Sequence, residues 1–307
     1  MTHSHKHHHH HHHIPADAGD LRIGLAVGVN LLLTVAQIIG GVLSGSIALI
    51  ADAIHNMSDA LSLVIALAAR RIARRPADAG MTFGYGRAET VAALVNYTTL
   101  VLIAIYLAWE AVWRILAPEP VDGWIVVIVA GVALAVDLAT VMLTWSMSRD
   151  SMNIHAAFLH NLADAMTSVA VIVGGTLMLL FDWRLVDPIV TLGISGYILW
   201  TALQGVGPVI RLLMLGTPPR MDLAQVLDAM RAVPGVNGVH HLHIWQIDEH
   251  AVAVEAHLEI DPPTVAVTSA VRDILRDRFG VQHVTLEVDL PDSPCTRLPV
   301  IGRPAAG

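Results

Sequence analysis

Cysteine is almost missing from these 307 residues: Cys295 stands alone, which excludes an internal disulfide and any CxxC metal site. Charge is scarce as well. Asp, Glu, Lys and Arg make up 14% of the chain against a hydrophobic share of 54%, with a mean hydropathy of +0.60. That balance is too apolar for an ordinary soluble domain and reads as an integral membrane protein with a soluble appendage. With a formal net charge of -8 there is no chain-wide basic surface, and no nucleic-acid partner is expected. Metal chemistry, if present, has to rest on carboxylates and on histidine, of which there are 18.

The N-terminal stretch MTHSHKHHHHHHHIPADAGD lacks the apolar core of a signal peptide, so no cleavage is expected. Its histidine tract reads either as a native metal-binding tail or as a purification tag, and residues 1–20 are expected to be disordered. Six apolar windows follow, near 22–43, 46–69, 88–113, 123–146, 157–181 and 185–207, each long enough to cross a bilayer as a helix. Short links such as LSGSIA and FDWRLVDP make several of them antiparallel neighbours. Basic residues set the orientation. Arg70, Arg71, Arg74, Arg75 and Arg87 flank the second link, Arg149 the fourth, and Arg211 and Arg220 follow the sixth span, while the opposite links carry chiefly Arg114 and Arg184. Both termini are therefore expected in the cytoplasm.

After GTPPRMD the charges return. DLAQVLDAMRAV and TSAVRDILRDRF have helical spacing, while HLHIWQID, AVAVEAHLEI and HVTLEVDL alternate as strands. The order α, β, β, α, β predicts a small ferredoxin-like α+β domain. The expected organisation is a six-helix transmembrane domain over 21–213, a cytoplasmic ferredoxin-like domain over 214–292 and a tail over 293–307.

Two polar words interrupt the apolar spans. HNMSDA starts at His55 and HNLADA at His160, 105 positions apart. Within each, His and Asp are spaced i, i+4 and so share a helix face: His55 with Asp59, His160 with Asp164. An ionised Asp near the bilayer centre costs about 2.5–3.5 kcal/mol, so something must compensate two of them. Two helices each offering an imidazole and a carboxylate form an N2O2 set suited to tetrahedral Zn2+, whose charge would compensate. The plainer alternative is that these groups only hydrogen-bond neighbouring helices. Asn56 and Asn161 read either as partners that orient the carboxylates or as helix contacts. Asp52 and Asp137 are further intramembrane acids, candidates for extra ligands or proton carriers. Asn30 and Gln37 read as helix contacts, and Glu110 reaches an interface.

SIALIADAIHNMSDALS, FGYGRAETVAALVN, HNLADAMTS, VHHLHIW and AHLEI together resemble the cation diffusion facilitators, which include bacterial zinc efflux proteins and vesicular zinc transporters. The resemblance covers essentially the whole chain after the tail. It implies a homodimer in a lipid bilayer, here a bacterial inner membrane, exchanging a divalent cation for protons, with the transport site at His55, Asp59, His160 and Asp164. It also implies Zn2+ as the transported substrate, with Cd2+, Co2+ and Ni2+ as further possibilities, because imidazole suits Zn2+ better than Mn2+. In the cytoplasmic domain His240 and His257 match positions that bind regulatory metal in some relatives, and Asp289, near the end of the last strand, is a candidate to join them; the other reading is satisfied or surface histidines. Strand alternation puts Leu242 and Ile244 on one face with His241 and His243 on the other, so His240 shares the apolar face unless the strand begins after it. His250 and His283 read as turn or loop residues. The chain departs from the pattern in three places. The link ARRIARRPADAGMTFGYGR has no histidine for a second metal site, Asp137 stands where many zinc-type relatives have Asn, and RLLMLGTPP lacks an acid for a salt bridge toward the third helix.

The expected mechanism is alternating access with protons competing for the metal ligands. No organic cofactor is expected. An intramembrane zinc hydrolase is the competing class, but there is no HExxH and four protein ligands leave no open position for substrate. A passive metal channel is the other alternative.

Overall fold

The computed structural model describes residues 16–145, 152–261, 264–289 and 300, and within them the side chains of 16–27, 29–30, 63, 143–144, 152–157 and 160 fall outside the description. The histidine tract, Arg149 and Cys295 lie outside the described residues, as does the side chain of Asn30. Six long helices come first: α1 Ala16–Ser44, α2 Ile47–Ala73, α3 Ala88–Leu116, α4 Gly123–Trp145, α5 Met152–Phe181 and α6 Val186–Leu213. Five of them, α2 to α6, are long and apolar enough over their described residues to cross a membrane, and α1 contributes an apolar segment Leu31–Ser44. α1 begins at Ala16, inside the stretch expected to be disordered. The chain forms two compact units, residues 1–63 with 102–199 and residues 64–101 with 200–307. Helices α2, α3 and α6 contribute to both.

In the first unit the helix contacts are made by small residues. Ala104, Ala111, Ala130, Ala133 and Ala165 are buried, and the glycines sit where backbones meet. A methyl group on Gly40 of α1 would stand 2.8 Å from Val129 of α4, and one on Gly123 of α4 would stand 2.8 Å from the carbonyl of Gly175 on α5. In lipid, where no hydrophobic force drives helices together, such close approach maximises dispersion contact. Large side chains point outward instead. Trp109, Trp113, Trp124 and Trp183 are all exposed near the first, third and fifth links, as expected of an interfacial aromatic girdle.

Those links are tied by hydrogen bonds. Asp187 at the start of α6 accepts from Ser46 Oγ (2.5 Å) and from the Ile47 backbone N–H (3.0 Å), so it caps the N-terminus of α2 from another helix. Arg114 donates to the Gly45 carbonyl and pairs with Glu110 and Glu119, each at 3.3 Å. The Asp122 N–H reaches the Ser44 carbonyl at 2.8 Å.

The second unit holds the α+β domain in the expected order: α7 Leu223–Arg231, β1 Val236–Gln246, β2 Val252–Ile260, α8 Val265–Phe279 and β3 His283–Asp289. The sheet order is β1-β2-β3, with β1 and β2 antiparallel and β2 and β3 parallel. Asp222 caps α7 by accepting from the Ala224 N–H, and Gly280 at φ 66° ends α8. Val226, Met230, Leu242, Leu258, Val271 and Leu275 form the core beneath one sheet face.

β1 differs from the alternation reading. It starts at Val236, ahead of His240, and would then send His240 into the core. A bulge prevents this: His240 pairs with His257 and His243 with Glu255, so two residues of β1 oppose Ala256 alone, and His241 takes φ 52°. The extra residue changes the facing of everything before it. Val239, Leu242 and Ile244 are buried with the core, and His240 is released to the opposite face. His283 is likewise in a strand, as the first residue of β3, whereas His250 is in the turn between β1 and β2.

Candidate metal centres

The first centre lies in the apolar helices of the first unit. His55 and Asp59 stand one turn apart on α2, with their nearest atoms, Nε2 and Oδ2, at 3.7 Å. Asp164 of α5 brings Oδ1 to 3.5 Å from the same His55 nitrogen. One ligand atom from each of the three residues lies within 4.8 Å of the other two. Ligands of a tetrahedral zinc at about 2.0–2.1 Å are about 3.4 Å apart, so the two spacings from His55 need to contract by only a few tenths of an ångström. Two carboxylates also balance a dication. His160 falls on α5 one turn before Asp164, and its side chain is outside the described residues.

The flanking groups are organised differently. Asp52, fully buried, accepts from Gln37 Nε2 at 2.5 Å, and Gln37 Oε1 accepts from Asn56 Nδ2 at 3.2 Å. Gln37 is thus a helix contact joining α1 to α2, and Asn56 bonds to it rather than to a site carboxylate in that interaction. The second Asp52 oxygen is buried without a hydrogen-bond donor among the described residues. Asp137 of α4 accepts from Ser168 Oγ of α5 at 3.0 Å. Neither Asp52 nor Asp137 joins the three-residue group, but Asp137, His55 and Asp164 all lie within electrostatic reach of Asp52. Tyr197 of α6 meets the His55 ring edge-on at 6.4 Å between centroids. Sequence reasoning passed over it because a lone tyrosine in an apolar span carries no spacing signal.

The second centre is on the sheet face opposite the core of the α+β domain. Asp289 Oδ2 accepts from His240 Nε2 and from His257 Nδ1, both at 3.0 Å. The remaining nitrogens face further acids: His240 Nδ1 is 3.4 Å from Glu259 and His257 Nε2 is 3.4 Å from Glu287. Gly238 makes room for Glu259, whose carboxylate a methyl there would meet at 2.6 Å. His240, His257 and Asp289 are all buried. Burial works to raise the Asp289 carboxyl, but the hydrogen bonds and charges of His257 and His240 outweigh it and hold the group below the ordinary aspartate value. Two imidazoles and a carboxylate also make a zinc-type donor set. The rings of His241 and His243 continue the row, His241 lying 4.9 Å from His257 and 4.8 Å from His243.

Comparison with known proteins covers both the helical and the α+β parts of the chain. The family model described as the cation efflux transmembrane domain matches residues 23–214, and that of the cation efflux protein cytoplasmic domain matches 218–290. The zinc transporter ZitB of Shigella flexneri is 34% identical over 97% of this chain and 95% of its own length. The metal cation efflux system protein CzcD of Cupriavidus metallidurans is 34% identical over 90% of this chain and 87% of its own. A cadmium, cobalt and zinc/H(+)-K(+) antiporter of Bacillus subtilis is 31% identical over 83% and 84%. These relatives are metal transporters and not enzymes. An integral membrane protein with this helix set, this cytoplasmic sheet and these two matched domains belongs to the cation efflux family.

Proposed function

We propose that the chain exports Zn2+ from the cytoplasm in exchange for protons, holding the ion between α2 and α5. The observation that carries this reading is the convergence of His55, Asp59 and Asp164 from two membrane-spanning helices within 4.8 Å. His160, one turn from Asp164, is the proposed fourth ligand. Cd2+, Co2+ and Ni2+ share the same ligand preferences.

Zn2+ enters from the cytoplasm and neutralises the two carboxylates. The helices then rock so that the site opens to the far side, where protons compete for imidazole and carboxylate. Release there requires the tie between Asp187, Ser46 and Ile47 to loosen, because it joins the start of α2 to the start of α6. Asp52 and Asp137, close to the site but outside the ligand group, carry protons. The protein works as a homodimer in a bacterial inner membrane with both termini cytoplasmic, organised as a transport domain to residue 213 and a cytoplasmic domain over 214–292. Zinc at His240, His257 and Asp289 couples transport to the cytosolic zinc level.

Zinc flux in reconstituted vesicles tests the ligand assignment. Asp59→Asn keeps the shape of the side chain and removes its charge, and zinc transport is expected to fall to background. Normal flux in this variant would remove Asp59 from the site.

A further inference from the structure

The second unit contains a cavity of about 880 Å3 that the transport reading does not use. It is lined almost wholly by apolar side chains and glycine, including Ile65 and Ile72 near the end of α2, Phe83 of the following link, Val91 of α3, Leu215 and Trp245. Phe83 is 63% exposed. The volume is that of a ligand site, which typically spans about 300–1,000 Å3, and a water-filled apolar space of this size at the end of two membrane spans is unfavourable.

The chain segment that supplies most of the lining is basic. Residues 70–87 carry five arginines against one aspartate. Arg71 of α2 follows the lining residue Ala68 by three positions and so lies near the lining stripe of the helix, and Arg75, just past the helix end, donates its backbone N–H to the carbonyl of the lining residue Ile72 at 3.0 Å. Arg75 lies within electrostatic reach of Tyr85, another lining residue. Arg70, Arg71, Arg74 and Arg75 are exposed, and no ion pair holds their side chains among the described residues. The local acid is already engaged: Asp78 accepts from the Tyr85 hydroxyl at 2.7 Å and from the Gly80 and Met81 N–H groups. Arg87 belongs to the frame of the cavity, since its guanidinium donates to the Gln246 and Ile247 carbonyls at 3.0 and 2.8 Å.

We propose that this cavity is a binding site for an anionic phospholipid, with acyl chain in the apolar space and phosphate on Arg71 and Arg75. The chemistry selects this occupant on two grounds. Arginines clustered at the end of a membrane span attract acidic headgroups, and the apolar lining suits an acyl chain. A second copy of the chain is a poorer occupant, because a two-fold contact through this face sets one arginine cluster against its own image.

Native mass spectrometry of the full-length protein in detergent tests the site, with phosphatidylglycerol and phosphatidylcholine of identical acyl chains as probes. The intact protein should retain phosphatidylglycerol at about tenfold lower lipid concentration than phosphatidylcholine. R71Q/R75Q should bring the two lipids level while leaving the other three arginines of the link in place. Ala68→Trp, which fills the cavity from α2, should reduce retention of both. Equal retention of the two lipids by the intact protein, or a phosphatidylglycerol preference that survives R71Q/R75Q, overturns the proposal. A dimer that retains neither lipid also overturns it and gives the cavity to the second copy.

Discussion

The membrane cluster and the cytoplasmic cluster use the same ligand types and differ in how tightly they are closed without metal. In the membrane, the His55 nitrogen stands 3.5 and 3.7 Å from its two carboxylates. In the cytoplasmic domain, His240 and His257 each bond the same oxygen of Asp289 at 3.0 Å. In the first arrangement the spacings from His55 are close to the ligand spacing of a tetrahedral ion. The second is held together through Asp289, so an arriving metal must displace those two hydrogen bonds and their protons. Under the proposed roles, a carrier has to load and unload in every cycle, which favours the looser set, whereas a sensor has only to register concentration, and a form closed through Asp289 gives it a second defined state.

Substitutions separate the two clusters. The largest effect is expected at the membrane site, where Asp164→Asn should lower zinc transport about 100-fold or more, measured as zinc flux into vesicles, with zinc binding at the cytoplasmic cluster unchanged in a titration of the same protein. Next, His257→Ala should weaken zinc binding at the cytoplasmic cluster by about 10–100-fold, read by that titration, while flux at saturating zinc changes less than about twofold. A smaller shift is expected from His55→Asp, which makes the described membrane set all carboxylate. Competition of Mn2+ against Zn2+ for flux should then move by about tenfold toward Mn2+.

The smallest effect concerns acid. Because the folded-state Asp289 carboxyl titrates below its ordinary value, its contribution to stability is complete above the unfolded aspartate range and is lost as pH falls through the lower folded value. Asp289→Asn should therefore remove part of the acid-dependent rise in hydrogen exchange along β2, and an unaltered pH profile would count against the bond to both histidines.

What could be read from the sequence follows the period of each element. The six long helices, the α, β, β, α, β order and the HNxxDA words were all legible, because apolar length and i, i+4 spacing survive without tertiary context. The facing of His240 was not. A bulge that puts two residues of β1 opposite Ala256 leaves no glycine signature, since His241 itself adopts the positive φ. The alternation rule therefore failed at the residues that make the cytoplasmic cluster. Tyr197 was hidden for a related reason: its approach to His55 depends on where α6 packs, which no local pattern encodes. Gln37 was assigned correctly as a helix contact, but its partners, Asp52 and Asn56, depend on the rotation of α1 against α2. The compact units also cut across α2, α3 and α6, whereas composition changes only after the sixth helix.

The most direct test of the central claim is Zn2+ uptake into proteoliposomes with and without an imposed pH gradient, in the intact protein and in Asp164→Ala. Accumulation driven by the gradient is expected in the intact protein and none in the variant. Gradient-driven accumulation that persists in Asp164→Ala, or zinc movement in the intact protein that ignores the gradient, would contradict it.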